Sequence, residues 1–172
     1  MHYPIIRVCL MRLFIVIQYW PPQGQKSLPG MCGILSIVNT TSGVRSEDLI
    51  AASSIIRHRG PDDEGLLTWN PGENPVIWAG GDTAPSTLQH WRYQPLEAGK
   101  RFSVGFGHRR LSILDLSPGG HQPMQFSDAG LTITYNGEVY NYPDVRKELE
   151  TLGHTFNNRS DTEVILHAWA QW

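Results

Sequence analysis

Two stretches of this 172-residue chain alternate large apolar side chains with small or polar ones, and that period of two constrains the fold more than any other feature. Val104, Phe106 and His108 form the first set, and Leu131, Ile133 and Tyr135 the second. Successive side chains of a strand point to opposite faces, so each stretch reads as a half-buried strand. Loops carrying Pro118-Gly119-Gly120 and Ser127-Asp128 separate them. The β-branched, apolar run Gly33 to Asn39 adds a buried strand that ends in the turn-forming Thr-Thr-Ser-Gly. Cys32 then stands at the leading end of a strand.

Helices are expected between and after these strands. Ser46 suits an N-cap, Glu47 and Asp48 complement the helix dipole, and Leu49, Ala52 and Ile56 share a face, with the helix ending near Arg59-Gly60-Pro61. Pro143 suits a first turn whose apolar stripe is Val145, Leu149 and Leu152, with Gly153 placed to end it. Ser160 and Glu163 make a capping box for a last helix bearing Val164, Leu166, Ala168, Trp169 and Trp172. Residues 70–100, rich in Gly, Pro, Asn and Thr around short pieces such as Pro75 to Ala79, read as an irregular excursion. This order of elements suits a layered α+β domain with mainly antiparallel strands.

Composition narrows the partners. With 40% hydrophobic and 17% charged residues, the chain can bury one sizeable core. Its net charge of -2, with Lys and Arg scattered, lacks the basic stripe of a nucleic-acid binder and leaves a small molecule as the expected partner. Cys9 and Cys32 outline neither a disulfide framework nor a CxxC site, so the chain reads as cytoplasmic with reduced thiols. The seven histidines stand singly, without HExxH or Cys/His ligand spacing, and no protein-bound metal is expected.

Residues 1–30 differ from the rest. Val8 to Trp20 is densely apolar but interrupted by Arg12, and a loop-like PPQGQKSLPG follows. A membrane span needs roughly 20 consecutive apolar residues; the run Leu13 to Ile17 is far shorter, and no A-x-A-like cleavage site precedes Cys32. The reading preferred here makes residues 1–30 a non-domain leader left by an upstream start, with Met31 as the real initiator. A propeptide removed before Cys32 is the alternative.

Five ordered motifs carry the chemistry: MCGI at 31–34, RHRGPDDEG at 57–65, GHRRLSILDLSPGGHQPM at 107–124, YNGEVYNY at 135–142 and SDTEVI at 160–165. Together they resemble the glutaminase domain of asparagine synthetases, a class II glutamine amidotransferase of the amino-terminal-nucleophile superfamily. The resemblance covers residues 31–172. Aminosugar-forming relatives tend to show a YRGYDSAG-like run where this chain has Arg57 to Asp62. The resemblance implies a four-layer αββα fold with mainly antiparallel sheets, with some closing strands expected to be missing at the C-terminus.

It also implies roles. Cys32 is the nucleophile, and its own α-amine the base once Met31 is removed. Asn136 and Gly137 complete the catalytic set by binding the oxyanion. Glutamine is held by Arg110 at the α-carboxylate, by Leu111, Ser112, Ile113 and Leu114 lining the pocket, by Asn136 and Gly137, and by Glu138 and Asp161 at the α-ammonium. The residue types suit these tasks. A free thiol has a pKa of roughly 8.5 and an α-amine about 7.7 to 8.0, so the amine can take the thiol proton whereas an amide nitrogen cannot.

Each residue also has a plainer reading. Cys32 could be a buried strand-end cysteine, Asn136-Gly137 a hairpin turn, Leu111 to Leu114 core, and Asp161 a helix-dipole charge. Ser160 already supplies the cap and is expected to leave Asp161 free. Arg109 and Arg110 face opposite sides of a continuing strand, so one of them is expected to be a solvated surface charge. His58, Arg59 and Asp62 are expected to organise their loop without reacting.

No SGGxDS-type phosphate loop occurs in these residues. The resemblance therefore assigns ATP and Mg only to a C-terminal synthetase domain absent here, which would amidate aspartate with ammonia from this site. A homodimer is compatible with this reading, and neither nucleic acid nor membrane is an expected partner. Two alternatives stay open: the glutaminase domain of another class II amidotransferase, and a catalytically silent, truncated glutamine-binding fragment.

Overall fold

The computed structural model describes residues 14–18, 32–112 and 117–172. In chain order its elements are β1 (Phe14–Gln18), β2 (Gly33–Val38), β3 (Val44–Arg45), α1 (Ser46–Ile55), β4 (Asp63–Trp69), β5 (Val76–Ala79), α2 (Pro85–Trp91), β6 (Arg101–Phe102), β7 (Val104–Arg110), β8 (Met124–Phe126), β9 (Leu131–Asn136), α3 (Tyr142–Thr151) and α4 (Asp161–Gln171). The architecture is α+β.

Four strands form an antiparallel sheet in the order β2-β7-β4-β5. A second sheet runs β1-β9-β8, with β8 antiparallel and β1 parallel to β9. The backbone of Phe14–Gln18 thus ladders with Thr132–Asn136, although it falls in the stretch set apart above as a leader. The rest of residues 1–31, including Cys9 and Met31, lies outside the described residues. Among the described residues no helix is long and apolar enough to cross a membrane.

Both alternating strands form, but neither is half-buried. Every residue of β7 and of β9 is buried. Helix α1 packs on β7 and β2, helix α4 on β9 and β8, and β2 meets β9 between them. The polar residues of the alternation therefore face another layer instead of water. His108 on β7 and Thr134 on β9 are hydrogen-bonded at 2.9 Å across the gap, and Gln122 Oε1 accepts from Tyr135 N at 2.6 Å. The apolar residues gather in three clusters, around Leu131, Ile133, Tyr135 and Leu166; around Val44, Leu49, Leu66 and Phe102; and around Leu67, Ile77, Val104 and Phe106.

Helix boundaries differ from the expectations in instructive ways. The N-cap of α1 is Arg45, one residue early, because the Ser46 hydroxyl accepts from Lys100 N at 3.2 Å and is spent on a tertiary contact. After Ile55 the chain breaks at Ile56 and tightens into a 3-10 turn, Arg57–Arg59. Ser160 does cap α4, accepting from Glu163 N at 3.3 Å. The return half of the capping box is redirected, since Glu163 accepts from the backbone of Asn157 and Asn158, each at 2.9 Å. Helix α3 ends just before Gly153, as its pattern indicates.

The excursion at 70–100 is more ordered than its composition suggests. It contains β5 and the helix α2, which opens on Pro85. Seven residues without an apolar stripe give α2 little sequence signature. Its anchors are tertiary: Asp63 accepts from Ala84 N at 2.8 Å and from the Thr87 hydroxyl at 3.2 Å.

Among the described residues the most deeply buried charge is Arg109, only 1% exposed. It was Arg109 or Arg110 that was expected to be solvated, and neither is: Arg110 is buried too, at 9%. Arg109 bonds Glu64 at 2.8 Å and Asp82 at 2.7 Å, and its Nε donates to the Ser53 carbonyl and hydroxyl at 3.1 and 3.0 Å. Removing one partner of a buried charge network leaves the others uncompensated, at a cost of about 3–5 kcal/mol. Arg109→Met is expected to lower the unfolding free energy by about that amount in urea titration; a loss below about 1 kcal/mol would show that the network contributes little.

Candidate functional site

Cys32 lies immediately before β2, whose first residue, Gly33, pairs with Arg109 at the end of β7. The two strand ends place the thiol beside the chain that leaves β7. Leu111 N donates to Cys32 Sγ at 3.2 Å, and the thiol reaches back to the Leu111 carbonyl at 3.6 Å. The side chain is half-buried, and burial pushes the thiol up from its ordinary value. The Leu111 N–H and the charge of Arg110 oppose that rise, and the carboxylate of Asp62 adds to it. A thiol held this way stays protonated until a nearby base removes the proton.

The RHRGPDDEG motif builds the floor of this corner. A Cβ at Gly60 would lie 2.2 Å from the Arg109 carbonyl oxygen, so only glycine lets the loop approach β7 this closely. The approach brings Asp62 N to the Arg110 carbonyl at 3.1 Å, and Asp62 Oδ2 accepts from Ser112 N at 2.8 Å. Asp62 thus braces the residue after Leu111, the thiol's hydrogen-bond partner. The same loop supplies Arg57, paired with Asp82 at 2.8 Å. The expected organising role is visible for Asp62.

Arg110 extends from the end of β7, and its Nη1 donates to the Ser117 carbonyl at 3.1 Å. Ser117 opens a 3-10 turn, Pro118–Gly120. Of the four residues expected to line the pocket, Leu111 meets the thiol through its N–H and Ser112 meets Asp62, while Ile113 and Leu114 lie outside the described residues.

A second group gathers at the end of β9. Asn136, 7% exposed, closes the strand, and Gly137 and Glu138 follow it to the surface. No hairpin forms at Asn136-Gly137, because the next element is α3 and Gly137 keeps a negative φ. Asp161, at the start of α4, is not free as expected: it is buried, and its Oδ2 accepts from Val139 N at 2.9 Å. That bond ties the 137–139 loop to α4. Asp161 and Glu138 both raise the Tyr135 hydroxyl above its ordinary value, though burial contributes more, so the two carboxylates share one neighbourhood. Arg110 and Asn136 each lie two residues beyond the His108–Thr134 bond that joins the sheets.

An apolar groove of about 640 Å³ lined by Val139, Val145, Val164, Ile165, Trp169 and Trp172 touches neither Cys32 nor Arg110.

Behind these residues lies a buried polar pair that sequence reasoning passed over. His121 Nδ1 and Asp63 Oδ2 are 2.7 Å apart. Burial works against the Asp63 charge, yet His121, Ala84 N–H and the Thr87 hydroxyl hold its carboxyl below the usual range. Tandem acids, Asp62-Asp63-Glu64, were the available signal. They divide the work, since Asp62 braces the thiol corner while Asp63 and Glu64 face buried partners.

Asp62→Asn keeps an acceptor for Ser112 N and removes a charge that disfavours the thiolate. The pH midpoint of Cys32 alkylation by iodoacetamide, followed by peptide mass spectrometry, is expected to fall; an upward shift would contradict the electrostatic assignment. His108 is wholly buried, and burial, with the charges of His121 and Arg110, pushes it down to about 3. The unfolded chain takes up this proton near the ordinary value of 6.5, so between the two values the unfolded state holds more protons and stability falls as pH falls. His108→Gln is expected to make the decline in unfolding free energy from about pH 6 to about pH 4 shallower, and an unchanged slope would refute it.

Residues 96–172 match a family described as a glutamine amidotransferase domain. The asparagine synthetase (glutamine-hydrolyzing) 1 of Bacillus subtilis strain 168 is 35% identical over 146 residues, covering 83% of this chain and 18% of the relative. A putative asparagine synthetase (glutamine-hydrolyzing) 2 of Methanocaldococcus jannaschii is 33% identical over 150 residues, covering 79% and 23%. Asparagine synthetase (glutamine-hydrolyzing) 3 of Bacillus subtilis is 52% identical over 71 residues, 40% of this chain and 11% of the relative. The chain spans about a fifth of the length of the first two.

Proposed function

We propose, from the premise that this chain belongs to the glutamine amidotransferase domains found in asparagine synthetases, that residues 31–172 hydrolyse L-glutamine with Cys32 as nucleophile. The observation that carries the reading is the thiol itself, set at a strand's leading end between the Leu111 N–H and the charge of Arg110. In this reading the two sheets with α1 on one side and α3 and α4 on the other are part of a four-layer αββα amino-terminal-nucleophile fold.

The reaction begins once Cys32 is the first residue, whether Met31 is an initiator that is removed or residues 1–31 are cleaved away. The freed α-amine takes the thiol proton, and Sγ attacks the side-chain carbonyl carbon of glutamine. Asn136 Nδ2 and the Gly137 N–H stabilise the oxyanion. The intermediate collapses with the C–N bond breaking, the proton passes to the departing nitrogen, and ammonia leaves a cysteine thioester. Water then attacks the thioester, releasing glutamate and restoring the thiol.

Recognition of the amino-acid end falls to charge. The Arg110 guanidinium pairs with the α-carboxylate, and Glu138 and Asp161 attract the α-ammonium. Leu111, Ser112, Ile113 and Leu114 line the pocket. The ammonia passes to a synthetase domain that uses ATP and Mg to amidate aspartate, in keeping with the relatives' being glutamine-hydrolysing asparagine synthetases by name.

The test is a chain cut to begin at Cys32 by a protease site placed before it. Ammonia and glutamate release is expected from the cut chain and not from one retaining residues 1–31, and Cys32→Ala should reduce it on the order of 10⁴-fold or more. Hydrolysis by the uncut chain that survives Cys32→Ala would overturn the mechanism.

A further inference from the structure

The turn after Arg110 has a geometry that the glutamine reading does not use. Ser117 accepts from Gly119 N through its hydroxyl at 3.2 Å, and its carbonyl receives Arg110 Nη1 at 3.1 Å. Pro118 O accepts from the indole N–H of Trp91, at the end of α2, at 2.9 Å. The turn is thus pinned from behind by α2 while its front holds the guanidinium. Gly120 is buried at that front. A Cβ built on Gly120 would lie 2.1 Å from Arg110 Nη2 and 2.7 Å from Cζ, far inside van der Waals contact.

We propose that Gly120 is a positioning residue for glutamine recognition: its bare α-carbon sets where the Arg110 guanidinium lies, and so makes the site selective for a ligand bearing an α-carboxylate. This rests on the assignment of Arg110 to that carboxylate. The atoms that a Cβ would strike are the far end of a long side chain, whereas the turn itself is held by Trp91 and by its own Ser117 cap. The guanidinium yields before the backbone does. A bidentate pair depends on the orientation of a planar fork, so a small displacement costs contacts that a point charge would keep.

The experiment compares two ligands on the full chain by isothermal titration calorimetry: L-glutamine, and 4-aminobutanamide, which is glutamine without its α-carboxylate. Gly120→Ala is expected to weaken glutamine about tenfold, the size of one charge-assisted hydrogen bond, and to leave the affinity for 4-aminobutanamide as it is. Arg110→Ala should show the same selectivity loss, and the double variant should be no weaker than Arg110→Ala alone, because the Cβ then has no guanidinium to displace. Melting temperatures guard against misfolding: if Gly120→Ala is destabilised, the double variant is expected to melt like Arg110→Ala, which would itself establish the contact.

The proposal fails if Arg110→Ala weakens glutamine but Gly120→Ala does not, if Gly120→Ala weakens both ligands equally, or if the double variant is weaker than Arg110→Ala. If Arg110→Ala leaves glutamine affinity intact, the carboxylate assignment falls first and takes the proposal with it.

Discussion

The burial of Arg109 is the constraint on which the rest depends. A guanidinium cut off from water must have its donors met by protein groups, and the acceptors come from three separate parts of the chain. Ser53 is on α1, Glu64 on β4, and Asp82 in the loop before α2. Satisfying one charge therefore fixes the helix, the central sheet and the excursion relative to each other. Asp82 also accepts Arg57, which carries the constraint into the motif loop.

The thiol corner is assembled on that frame. With β7 and β4 locked in register, Asp62 falls beside the residues that leave β7 and braces Ser112, and Leu111 N–H is turned onto Cys32 Sγ. Adjacent positions on one strand thus do different work: Arg109 turns inward to hold the layers, and Arg110 turns the other way, toward the Ser117–Gly120 turn. The acids divide in the same manner, with Asp63 paired to His121 and Glu64 to Arg109.

Much of this is legible without coordinates. The strands at Gly33, Val104 and Leu131 and the helices near Ser46, Pro143 and Ser160 all form, within a residue or so of where periodicity and capping start them. The misses share a cause. Helix α2, the early start of α1 and the redirected Glu163 each depend on partners distant in sequence, such as Asp63, Lys100 and Asn157. Local propensity carries no information about such partners.

The sequence by itself determined the chemistry on offer: a cysteine at a strand's leading end, an Asn-Gly pair closing another strand, paired arginines and acids near a helix start, all in ordered motifs. Tertiary structure alone decided which of those groups face which. Alternation distinguishes two faces of a strand but does not say whether the polar face meets water or a second layer. In β7 and β9 both faces meet other layers, so His108, Arg109 and Thr134 are core residues, and of the two arginines of which one was expected to be solvated, Arg109 is the more deeply buried.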